Sequence, residues 1–266
     1  MDKIFAIAAT SFQEVLRKKA SYIIGLVAVL ILASILSQMV FVRMAAEAGE
    51  AESVRQVQAG SVSELFGTWS FAVVMMAVFL GAAATSSEVK SRTIVIVLAR
   101  PIERWAYLLG RWMGIIFYLF CFLALGIAAG FWLILYDRLS FAPLLWVGVI
   151  EMFVTAFFFC GVSLGFGAFM PPTLAGSCTL LLSFLPMIAK NWMEHPNPLL
   201  RVLAFAGYYI GPAHMPVDAI SASFSREMLA PDYGLYAGVL LENVFYAVVV
   251  FAIGCVLFSH REPRLR

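Results

Sequence analysis

The chain has 266 residues, of which 62% are hydrophobic and 13% charged, with a mean hydropathy of +0.92. That balance excludes an ordinary soluble globular protein and leaves little length for a soluble domain beside a membrane region. The formal net charge of +2 matters less than where the charges fall, and no nucleic-acid partner is expected.

Residues 4–16 are amphipathic rather than uniformly apolar, so the N-terminus does not read as a cleavable signal. Phe5, Ala8, Ala9, Phe12 and Leu16 share one helical face, with Lys3, Thr10, Gln13, Glu14 and Arg17 largely opposite. The Arg17-Lys18-Lys19 cluster marks a headgroup boundary. Residues 1–19 are therefore expected to lie as a helix on the inner leaflet.

Long apolar stretches follow at 22–42, 65–85, 107–136, 144–170, 173–189 and 236–258. A helix crossing the hydrocarbon core needs about 20 apolar residues. Barrel strands would show alternating segments of about 10 residues, and these runs are continuous. The expected fold is all-α and integral to the membrane: six transmembrane helices, the N-terminal interfacial helix, and one domain over residues 1–266. The fifth span is short. With both termini in the cytoplasm, the inner segments hold twelve Lys and Arg against six in the outer ones. That asymmetry follows the positive-inside rule.

The segment between the second and third spans carries the densest pattern. Ile94, Val95, Ile96, Val97 and Leu98 form an apolar core too short to span, flanked by Lys90, Arg92, Arg100 and Arg104. Pro101 stops or kinks any helix before it. Glu88 is expected at the start of the loop's helix, where its charge suits the dipole. An apolar patch with a polar rim is the makeup of a protein-docking surface.

Here the chain resembles the permease subunits of ABC-2 type ATP-binding cassette transporters. Glu88, Thr93, Leu98, Pro101, Ile102, Arg104 and Gly110 match the family pattern in order and spacing, while Arg92 replaces the usual Gly and Arg111 the usual Lys. The resemblance implies a permease that forms an export path across a bacterial-type cytoplasmic membrane. It implies a second permease subunit, with a homodimer expected, and two copies of a cytoplasmic ABC ATPase. It makes 86–106 the coupling segment, with Glu88, Arg92, Thr93, Ile94, Val97, Leu98, Pro101 and Arg104 at the ATPase contact. ATP and Mg would sit on the partner, so no cofactor is expected in this chain. The sequence agrees, since no glycine is followed by lysine and a P-loop is therefore missing.

Gly110–Gly114, Gly126–Gly130 and Gly161–Gly165 are GxxxG pairs, which mark close helix packing within or between subunits. Glu151 and Glu242 enter spans near the outer boundary, where a carboxylate lines a path or pairs with Lys190 or Arg138. The outer segment 190–235 contains an apolar run at 199–210 that is too short to cross and suits a re-entrant or interfacial helix. It leaves room for an extracytoplasmic accessory protein. Cys121, Cys160, Cys178 and Cys255 form no CxxC pair and read as packing residues. His195, His214 and His260 form no metal-ligand set with metal-site spacing. The rival class is a polytopic membrane enzyme using Glu151, Glu242 or the outer histidines as acid and base groups.

Overall fold

A computed structural model describes residues 2–17, 51–90, 103–193, 197–210, 219–224 and 233–260, with position 212 and scattered positions between 26 and 44. The helices are α1 (Asp2–Arg17), α2 (Ala51–Lys90), α3 (Arg104–Tyr136), α4 (Leu144–Gly167), α5 (Pro172–Trp192), α6 (Pro198–Ile210), α7 (Ala219–Ser223) and α8 (Tyr233–His260). There is no strand among the described residues.

Among the described residues four helices are long and apolar enough to cross a membrane: α2 over Gln56–Ala84, α3, α4, and α8 over Tyr233–Ser259. The third, fourth and sixth expected spans coincide with α3, α4 and α8 to within a few residues. The second is longer than expected. Its helix begins at Ala51, because the Gln, Glu, Ala and Ser residues ahead of the apolar run are tolerated in a helix and no proline interrupts them. At 40 residues it is roughly 60 Å long, more than the bilayer with its headgroups. The first expected span lies mostly outside the described residues, although positions 28–33 are helical.

α5 is a shorter apolar helix with Pro172 in its first turn, where the missing N–H costs nothing. α6 takes up the 199–210 run. It packs back on α5, with Gly207 against Leu185 and Ala189.

Contacts fix the directions of the helices. Ser163 Oγ in α4 donates to the Val78 carbonyl of α2 at 2.6 Å, and Gly167 lies against Ala82, so α2 and α4 run parallel. α3 is antiparallel to both. Trp69 and Phe66 of α2 meet its far half, while Phe120–Phe153 (4.9 Å) and Phe131–Trp146 (5.2 Å) join it to α4. α8 is parallel to α4, with Phe158 and Tyr246 centroids 5.7 Å apart and Gly165 packed on Gly254. A Cβ on Gly254 would lie 2.7 Å from the Gly165 Cα, so these two backbones touch only because neither residue has a side chain.

α4 is the hub, with 61% of its span window buried. Lipid tails are as apolar as the helices, so burial alone cannot drive this association. Small residues do so instead, by allowing backbones and rings to interlock. Each GxxxG pair makes its contact within the chain: the first against α1, the second against α2, and the third against Trp112 and α8.

Candidate functional site

The first turns of α3 are the meeting point of three segments distant in sequence. α3 begins after Glu103, whose backbone is extended and whose carbonyl accepts from Tyr107 N at 3.1 Å. The Trp105 indole N–H donates to the Glu103 carboxylate. Arg104 Nη1 donates to the Ser259 carbonyl at 2.9 Å, which ties the start of α3 to the end of α8.

Two turns on, the α1 helix lies across α3. Gly110 faces Ile4 and Ile7, and Gly114 faces Ala8 and Ser11 so closely that a Cβ would collide with the Ala8 carbonyl. Arg111, only 4% exposed, lies between these glycines. Its Nη1 donates to the Glu14 carboxylate and reaches Ser11 Oγ at 3.4 Å, and its Nε donates to Tyr107 Oη at 3.2 Å. The guanidinium carbon also stands 5.9 Å from the Tyr107 ring centroid. Phe12 adds an edge-on contact to Phe117 at 5.3 Å.

α1 therefore has two apolar edges. Ile7, Ala8, Ser11 and Val15 dock on the protein, while Phe5 and Leu16 stay exposed and free to meet lipid. Glu14 was expected on the solvated face. It turns inward, because a buried guanidinium without a carboxylate would be far more costly than the turn. The Glu14–Arg111 pair is the feature of this site that the sequence reading missed. Its signal was an arginine inside an apolar run, one turn from a tyrosine, with an acid on a preceding amphipathic helix.

The expected coupling residues divide. Arg104 is placed at the bundle's end, as described. Glu88 lies in the last turn of α2, not at the start of a following helix, because α2 continues unbroken to Lys90. Arg92, Thr93, Ile94, Val97, Leu98 and Pro101 lie outside the described residues. The segment thus leaves one long helix and re-enters another at the end where α1 and the end of α8 also sit.

Glu151 is half-buried on α4, and Glu242 is exposed on α8. The parallel register of these helices places Glu242 level with Val154, about one turn from Glu151 along the bundle, or roughly 5 Å. Both stand toward the end opposite α1. His195 and His214 lie outside the described residues, and among the described ones no cluster of three His, Cys, Asp or Glu could hold a metal.

A bundle of long apolar helices with an amphipathic helix clamped at one end defines a multi-pass membrane protein. The family model described as ABC-2 family transporter protein matches residues 5–262, so the chain belongs to that family. No curated protein matches it. The chain is a permease component of an ABC transporter, a role that in this family is normally a non-catalytic transmembrane subunit.

Proposed function

We propose that the chain forms the export path of an ABC transporter driven by a separate ATPase. Residues 86–106 are the coupling segment, and two permease copies pair with two ATPase copies that carry ATP and Mg. The observation that carries this reading is the convergence at one end of the bundle. The exit of 86–106, the interfacial helix α1 and the end of α8 all meet there through Arg104 and Arg111. A push on that end enters the first turns of α3, to which α1 and the end of α8 are bonded.

Six crossings agree with the helix directions. α1 and the start of α2 stand at opposite ends of the bundle, as the first expected span at 22–42 requires. The parallel course of α4 and α8 requires an odd number of crossings between Gly167 and Tyr233, and α5 supplies one. At 21 residues it reaches roughly 31 Å, the thickness of the hydrocarbon core. α6 returns along α5 as the re-entrant limb of the outer segment. The basic N-terminal, 86–106 and C-terminal segments then share the cytoplasmic face of the cell's inner membrane. In this reading Glu151 and Glu242 line the path near its outward mouth.

The test is the Ile94→Asp/Val97→Asp double variant, purified from its native cell with insertion confirmed. The wild type should co-purify an ATPase in equimolar amount, and the variant should lose it while keeping its helix content. Normal ATPase binding by the variant would show that the coupling element is elsewhere. For the carboxylates, Glu151→Gln and Glu242→Gln should lower cargo-stimulated ATP hydrolysis severalfold with unchanged melting. A loss that tracks lower melting would make them structural instead.

A further inference from the structure

We infer that Glu14 and Arg111 are positioning residues that lock α1 to the first turns of α3, so that α1 and the exit of the 86–106 segment travel as one body. Packing alone does not account for the pair. Ile7 on Gly110 and Ala8 on Gly114 already give a close apolar contact, and burying a guanidinium beside them is unfavourable unless its bonds are met. What the pair adds is register. Arg111 holds α1 at two places one turn apart, Ser11 and Glu14, and is itself braced by Tyr107 on its own helix. Sliding or rotating α1 would break the Ser11 and Glu14 bonds together, at a guanidinium only 4% exposed.

The same helix start is fastened on its other side, where Arg104 bonds the Ser259 carbonyl. These two anchors hold the first two turns of α3 from both sides. A displacement entering at residue 103 must carry α1 with it, and the exposed Phe5 and Leu16 edge of α1 moves through the headgroup layer as it does so. The coupled movement rests on 86–106 being the ATPase-facing segment. The lock itself does not.

The experiment is hydrogen–deuterium exchange on the permease with its bound ATPase, purified from the native cell and placed in phosphatidylethanolamine–phosphatidylglycerol nanodiscs. Wild type, Glu14→Gln, Arg111→Met and the control Gln13→Ala are compared, with and without vanadate and MgATP. Glu14→Gln is the milder variant and keeps the test open if Arg111→Met fails to fold. Exchange over residues 2–17 should rise about tenfold in the Glu14 and Arg111 variants and not in the control, the size expected for loss of one local lock. On vanadate trapping, the wild type should show matched changes over 2–17 and 104–114. In Glu14→Gln the change over 2–17 should fall at least about fivefold while that over 86–103 persists. An α1 in Glu14→Gln that is as protected as wild type, or that follows trapping as wild type does, overturns the inference. If no ATPase co-purifies with the wild type, the coupling reading fails. The exchange of the permease alone still decides the lock, which is overturned if the variants match wild type.

Discussion

The two halves of α3 use one backbone device for two different partners. In both, a glycine pair four residues apart opens a groove that a neighbouring helix enters. At Gly126 and Gly130 the groove takes the rings of Trp69 and Phe66 from α2, with the Trp69 ring stacked on Phe122 at 4.8 Å. At Gly110 and Gly114 it takes the backbone and small side chains of α1, and the contact is closed by an ion pair whose Arg111 end is buried. The aromatic half is tied chiefly by ring area. The polar half is tied by directional bonds that hold one register and are lost as a set when it shifts. The glycine pair makes approach feasible, and the residue that enters decides whether the joint is permanent or positional.

Filling the two grooves should separate these roles, with the largest effect in the aromatic half. Gly126→Leu would place a side chain where the Trp69 indole lies, and the indole is already stacked on Phe122. Overpacking at such a site costs on the order of 3 kcal/mol. The expected outcome is loss of folded protein, read as a collapsed yield of monodisperse material and a detergent-unfolding midpoint too low to measure. Gly114→Leu should do less to the bundle and more to α1. It pushes Ala8 and Ser11 away from α3, so the spans should melt within a few degrees of wild type while residues 2–17 lose exchange protection. If Gly114→Leu unfolds the spans as thoroughly as Gly126→Leu, the two halves do not differ as argued.

Hydropathy located α3, α4 and α8 almost residue for residue, because a run of twenty apolar residues has few other uses. It did not rank them. α4 and α8 are both apolar on every side, yet 61% of the α4 window is buried against 17% of that of α8. Lipid and protein interior look alike to a transfer scale, so the difference must come from residue size. The Gly161, Ser163, Gly165 and Gly167 run in α4 was the legible trace of its central place. Residues 86–106 stood out in the sequence by their charges and their place between two spans, and of the residues singled out there Arg104 opens α3 beside the end of α8. Glu14 and Arg111 were invisible as a pair because each had an adequate local explanation. One read as part of a solvated helix face and the other as the residue standing for the family's usual Lys, and only the crossing of α1 over α3 brings them together.

The smallest effect expected is that of Trp69→Phe, and it isolates the polar contribution within the aromatic half. Trp69 Nε1 donates to the Phe122 carbonyl at 3.1 Å. That carbonyl is also the normal helical acceptor for the Gly126 N–H, so removing the indole donor leaves no orphaned acceptor. The phenyl ring keeps the stack on Phe122 and most of the fit over Gly126. The cost should therefore be about that of one interhelical hydrogen bond in a membrane bundle, roughly 0.6 kcal/mol and not above about 1.7 kcal/mol. A detergent-unfolding titration resolves that range. Trp69→Ala, which empties the groove, should cost several times more, about 3–5 kcal/mol, as a lost ring does in a packed core. A Phe variant as unstable as the Ala variant would mean that the hydrogen bond, not the ring, holds α2 to α3. The division between an aromatic half and a polar half of α3 would then fail.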